Sequence, residues 1–175
     1  MPADKAAILE RMENNLDLSP VDLAELSGCG PCRPEATLAI CRGTARFLRS
    51  LNLACVLEFP LPSGRRADIA ALGPKGEFWI IEVKSSLEDF RVDRKWQEYR
   101  QHCDRLFFSV AIEFPQEVLP PDAGLVVADA YGGQLLRPAP EHRLSAHTRK
   151  ALTLRFARLA AARCHASIDP PAFAP

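Results

Sequence analysis

Residues 65–84 read RRADIAALGPKGEFWIIEVK, two largely apolar runs on either side of Gly-Pro-Lys-Gly. The runs, 66–72 and 77–84, have strand length, and the glycines and proline between them suit a reversal of direction, so the stretch predicts a hairpin. Strand side chains alternate faces, which puts Glu82 and Lys84 on one side with Phe78 and Ile80. Hairpin pairing brings Asp68 beside them. Because Phe78, Ile80, Ile81 and Val83 make the second run apolar on both faces, it belongs inside a sheet. Two carboxylates and an ammonium at the end of such a strand are costly to bury unless they serve each other or a ligand.

Hydrolysis of a phosphodiester asks for these residue types. It needs a nucleophilic water, neutralised phosphate charge and a stabilised leaving alkoxide. Mg²⁺ meets much of this and is typically held by one or two carboxylates together with phosphate oxygens. Asp68 and Glu82 are candidates for those carboxylates, with the backbone carbonyl of Val83 as a further ligand. Lys84 would then orient the water or stabilise the charge of the transition state. The competing reading is a cross-strand ion pair on a solvated face, worth about 0.2–1 kcal/mol. The apolar strand around the charges favours the metal site.

The chain of 175 residues, 47% apolar, can bury one substantial core but not two. A net charge of zero gives no global basic bias toward nucleic acid, so distribution matters more than the sum. Residues 1–27 carry six acids against Lys5 and Arg11, and residues 137–165 carry seven bases against Glu141 alone. A polyanion would meet the second end first. No basic-then-apolar leader and no run of roughly 18 apolar residues is present, and six scattered cysteines read as reduced thiols, so a cytoplasmic protein without a membrane anchor is expected. Cys29 and Cys32 form one CxxC in GCGPC, without the second pair that a structural zinc site needs.

Along the chain, residues 1–33 are expected to form an N-terminal helical extension, ended by the GCGPCRP break. A helix is expected from Glu35 to about Ser50, with Leu38, Cys41, Ala45 and Leu48 at helical spacing and Arg42, Arg46 and Arg49 on the adjoining face. Strands follow at 54–61, 66–72 and 77–84. After Ser86 a helix through about Cys103 has Val92, Trp96, Tyr99 and Cys103 as its docking stripe. Two more strands are expected at 107–113 and 124–129, then a helix from about Ser145 to Ala166 with Leu152, Phe156 and Leu159 inward. Residues 167–175 read as a flexible Pro-rich tail. No Gly-rich phosphate loop follows any strand, which excludes the common nucleotide-binding motifs.

Asp68 with Glu82-x-Lys84 fourteen residues later, set between helices and followed by a strand, resembles the PD-(D/E)xK nuclease superfamily. More closely, GTARFLRSL, LPSGRRADIAAL, WIIEVKSSLEDFRVDRKWQEYRQHCDRLFFSVA and GLVVADAYGG resemble the MmcB-like bacterial DNA repair family over residues 34–166. The resemblance implies an α/β fold with a restriction-endonuclease-like αβββαβ core and a mixed central sheet. It also implies Asp68, Glu82 and Lys84 as the catalytic set, Mg²⁺ or Mn²⁺ as cofactor, and DNA and other repair proteins as partners. Two departures stand out. Ala67 replaces the usual Pro before the Asp, and the middle of the first helix shows Arg42, Gly43 and Thr44 where such nucleases often carry an acid, with Glu35 only near its start, which counts against two-metal chemistry and leaves Glu58 on the first strand as the substitute.

Around this set, Arg65 and Arg66 are candidates to grip phosphates, and Lys95 and Gln97, off the docking stripe, are candidates to approach the site. Trp96 and Tyr99 read as docking residues rather than base-stacking ones. The functional expectation is a Mg²⁺-dependent endonuclease in DNA repair, and the alternative is a nuclease-derived DNA-binding or partner-recruiting module that no longer turns over.

Overall fold

The computed structural model describes residues 34–93 and 96–169; the expected extension at 1–33, the CxxC, Lys95 and most of the Pro-rich tail lie outside them. Helix α1 spans Glu35–Ser50, and strands β1 (Ala54–Pro60), β2 (Arg66–Leu72) and β3 (Phe78–Lys84) follow. Next come helix α2 (Leu87–Val92), a 3-10 helix (Trp96–His102) and β4 (Arg105–Val110). After a short 3-10 turn, β5 (Gly124–Ala128), β6 (Gly133–Arg137) and helix α3 (Ala146–Ile168) complete the order. The described residues up to Ala161 belong to one compact unit, and those from Ala162 belong to a second and are described only as the end of α3.

The six strands form one mixed sheet in sequence order, β1 through β6. β1, β2 and β3 are antiparallel neighbours, β3, β4 and β5 run parallel, and β6 returns antiparallel. The carboxyl ends of the three parallel strands therefore lie at one edge, where open α/β sheets hold their ligands.

One face of the sheet is closed by α1. Ile40, Cys41 and Leu48 pack with Ile69, Ile81, Val83, Phe107 and Val126 in a single core. Polar groups inside it are matched: Thr44 Oγ1 donates to the Ile40 carbonyl and lies 2.7 Å from Ser109 Oγ. The helix ends in a Schellman motif. Asn52 takes the left-handed conformation, φ 61°, the Leu53 amide donates to the Leu48 carbonyl (3.0 Å), and the Asn52 amide donates to that of Arg49 (3.0 Å). Leu48 and Leu53 supply the apolar contact that accompanies such a cap.

Two aromatic groups pack elsewhere in the fold. Phe59, Phe78 and Phe156 cluster with ring centroids 5.5–6.2 Å apart, and Phe108 meets Phe90 and Trp96 edge-on at 5.6 and 5.5 Å. Leu152, Phe156 and Leu159 are the buried residues of α3, as their spacing predicts.

Three expectations need correction. The helix after β3 is not continuous: α2 stops at Val92, which is 79% exposed rather than part of a stripe, and a 3-10 helix begins at Trp96. β4 ends at Val110 and not at Glu113, because the chain turns there, with the Phe114 amide on the Ala111 carbonyl. β6 was not expected at all. Its two leucines are adjacent and exposed, so it lacks the alternation that marks a half-buried strand.

Candidate active site

The hairpin delivers Asp68, Glu82 and Lys84 to the carboxyl edge of the sheet. Ile69 pairs with Ile81, so Asp68 comes opposite Glu82 on the next rung. β1 helps release it. The β1–β2 ladder pairs Leu57 with Ile69 and Phe59 with Ala67, while Glu58 between them has φ 52° and turns its backbone out of the strand conformation. The Asp68 amide donates instead to Glu82 Oε1 (3.3 Å), and Asp68 Oδ2 accepts from the Val83 amide (2.8 Å). Side chains thus replace backbone rungs where the strands part. In an antiparallel ladder a residue's N–H and C=O face the same neighbour, so the Val83 carbonyl lies on the Asp68 side as well.

Glu82 and Lys84 are 3% and 5% exposed. Lys84 Nζ lies 3.8 Å from Glu82 Oε2 and 2.6 Å from Asp93 Oδ2. Burial alone would pull the ammonium's pKa down, but the Asp93 hydrogen bond and the Glu82 charge outweigh it and raise the pKa. Lys84 is therefore a fixed cation and donor, not a base. Glu82 behaves oppositely: burial, then repulsion from Asp68, pushes its carboxyl up to about 8.

Asp93 is the residue that sequence reading missed. It caps the carboxyl end of α2, its amide donating to the Asp89 carbonyl at 3.3 Å, and the break in the helix turns it toward Lys84. Inside a continuous helix it reads as one more solvated charge. Thr37, from the first turn of α1, also lines the cavity, which has a volume of about 390 Å³. α1 therefore contributes a hydroxyl there, and Glu35 is exposed at its start.

The other expected site residues are placed less centrally. Arg65 is bound to Glu98 through Nε (2.6 Å) and Nη2 (3.2 Å) and is not among the lining residues. Arg66 lines the cavity and is ion-paired with Glu58, which gives that carboxylate a partner other than a metal. Gln97 is exposed and off the lining. Trp96 and Tyr99 are buried as docking residues; the Tyr99 hydroxyl, whose pKa is raised by burial and then by Glu82, Asp93 and Asp68, donates to the Arg66 carbonyl at 3.4 Å.

A divalent cation fits this donor set. Asp68, Glu82, Asp89 and Asp93 line the cavity against Lys84 and the already paired Arg66. The buried Glu82 carboxylate has its charged form disfavoured by its own environment, a cost that a cation beside Asp68 would reverse. Among the described residues no three His, Cys, Asp or Glu side chains form a ready-made cage. Asp68, Glu82 and the Val83 carbonyl would thus leave positions for substrate oxygens, as Mg²⁺ sites commonly do.

The raised Glu82 carboxyl carries a sign. Between the unfolded value of roughly 4.3 and about 8 in the fold, the folded state binds a proton that the unfolded chain does not. Without divalent ions, stability is therefore expected to fall as pH rises from about 4 to about 8. Glu82→Gln, which keeps the acceptor for the Asp68 amide, should flatten that slope and melt higher than wild type at the alkaline end. Thermal unfolding in chelator across that range checks it, and parallel curves for the two proteins would refute the assignment.

The chain matches the family model described as DNA repair protein MmcB-like over residues 27–171. Among solved structures it is similar to the SPO1766 protein of unknown function from Silicibacter pomeroyi, with 45% identity, a TM-score of 0.77, and coverage of 82% of this chain and 98% of that one. No curated protein matches it. No helix among the described residues is long and apolar enough to cross a membrane.

Proposed function

Because the chain belongs to the MmcB-like DNA repair protein family, we propose that it acts on DNA and hydrolyses phosphodiesters at the Asp68, Glu82 and Lys84 cavity. In this reading the sheet and its helices are the restriction-endonuclease-like core of a PD-(D/E)xK nuclease. The observation that carries it is the mutual bonding of Asp68, Glu82 and Val83, with the Asp68 amide on Glu82 and the Val83 amide on Asp68. Both carboxylates line one cavity together with Lys84, whose ammonium lies 3.8 Å from Glu82.

Asp68, Glu82 and the Val83 carbonyl would hold Mg²⁺ or Mn²⁺, which when bound would supply Lewis-acid neutralisation of phosphate charge. Lys84, kept protonated by Asp93, donates toward the oxygen on which charge develops, and its near-complete burial strengthens that interaction. Asp93 holds the ammonium in place so that little reorientation is needed during reaction.

A second reading is favoured by one observation: α1 brings Thr37 to the cavity where a further acid would assist a second metal ion. It is a DNA-binding or partner-recruiting module that no longer cuts. The two separate on labelled branched, single-stranded and duplex DNA incubated with Mg²⁺, Mn²⁺ or EDTA. Hydrolysis only with metal, reduced about a hundredfold or more in Asp68→Asn, is the expected result, the size being that of a lost charge-stabilising group. Binding that falls steeply with salt, with no cut in any substrate, would select the module and reject the nuclease.

A further inference from the structure

A second and larger cavity adjoins the first at the same edge of the sheet. Its volume is about 800 Å³. Its walls come from residues just beyond β3, β4 and β5 and from the first turns of α1, including Ser85, Ala111, Ala130, Ala36 and Ile40. Ser85 follows Lys84 directly, and Ala36 of this cavity is the chain neighbour of Thr37 in the other.

The lining is mainly Ala, Ile, Val and Gly, with the carboxylates of Glu113 and Asp129 also in it, Asp129 already bonded within its own turn, and with Gln134 as a side-chain amide able to meet a base edge. At its rim Tyr131 is 87% exposed, an unusual position for a ring. Its exposure is built in, because the turn that carries it is held from several sides. Asp129 Oδ1 accepts from the Tyr131 amide (2.7 Å) and the Gly132 amide (2.9 Å), and the Asp129 amide donates to the Gly132 carbonyl at 3.0 Å. Arg46 of α1 donates to the Ala130 carbonyl. Gly43 of α1 approaches so closely that a β-carbon there would collide with the Asp129 and Gly132 carbonyl oxygens. The glycine that displaces the expected helix acid is thus what lets α1 brace this turn.

We infer that this cavity takes an unstacked nucleobase of single-stranded or splayed DNA, stacked on Tyr131, with its backbone running into the Asp68, Glu82 and Lys84 cavity. The inference rests on the reading of that neighbouring cavity as the phosphodiester site. Continuity with the acidic cavity favours a nucleotide over an apolar peptide, since each base along a strand is tied to a phosphate that Lys84 and a bound cation would meet.

The full chain, in EDTA so that nothing is cut, is titrated with a short single strand carrying the fluorescent base 2-aminopurine. Quenching on binding is expected. Tyr131→Ala should weaken single-strand affinity about tenfold or more and abolish the quench, since stacking of one base on an aromatic ring is worth about 1–3 kcal/mol. Tyr131→Phe should retain both, and all three proteins should melt alike. A Tyr131→Ala protein that binds and quenches as wild type does, or a wild type that binds no single strand, overturns the inference. The outcomes also separate it from its premise. Metal-dependent cutting with no effect of Tyr131 leaves the nuclease reading standing and removes the nucleobase site. Stacking on Tyr131 without cutting does the reverse.

Discussion

Lys84→Ala is expected to reduce metal-dependent cleavage about a hundred- to a thousandfold while single-strand binding in EDTA changes little. The magnitude follows from removing one preorganised donor aimed at developing charge in a water-poor site. Lys84 meets the conditions for that size of effect. It is 5% exposed, it is fixed by Asp93 at 2.6 Å, and its raised pKa keeps it charged. Binding should be spared because a strand would still have the neighbouring cavity, with Tyr131 at its rim, to hold it. Lys84→Arg should not rescue the rate, since a planar fork cannot occupy the place of a compact ammonium between Glu82 and Asp93. Single-turnover cleavage with saturating enzyme reads the effect free of binding. Wild-type rates in Lys84→Ala would remove the lysine from the mechanism and leave its burial as a matter of structure alone.

What could be read in the sequence was what depends on local pattern. α1 shows its apolar stripe within a single helix, and its observed span matches the expected one. The hairpin of β2 and β3 shows strand period and turn chemistry together, so Asp68, Glu82 and Lys84 could be placed side by side in advance. Features set by distant contacts could not be read. The break at Asp93 has no Pro or Gly to announce it; Trp96 and Tyr99 dock beyond it, and Lys84 draws the aspartate inward. Gly43 looked like a gap where an acid was expected, and its use emerges only once α1 lies against the Asp129–Gly132 turn. Tyr131, in the run ADAYGG, carries no pattern, because an exposed ring on a tight turn is a tertiary fact.

The residue expected to matter most for stability lies away from both cavities, just before β4. Asp104 is 3% exposed and gathers four donors: the Phe78 amide (2.7 Å), the Leu144 amide (3.0 Å), and Arg149 through Nη1 (2.6 Å) and Nη2 (2.7 Å). Its own amide donates to the Phe78 carbonyl at 2.6 Å, and its carbonyl accepts from the His142 amide at 2.7 Å. One side chain thereby joins the start of β3, the segment before α3 and the first turn of α3. Asp104→Asn offers an NH₂ where only donors converge and strips the guanidinium of its counter-charge, so a loss of about 3 kcal/mol is expected. The pH dependence supplies the signature. Burial opposes ionisation, but Arg149 and the two amides overcome it and hold the carboxyl below its usual value. Its contribution is therefore complete above the unfolded value of roughly 3.9 and fades as pH falls through the lower folded one. Urea denaturation should show wild type well ahead of Asp104→Asn at pH 7 and the gap narrowing toward pH 3. A gap that stays constant in acid would mean that the carboxylate charge is not what holds α3 to the sheet.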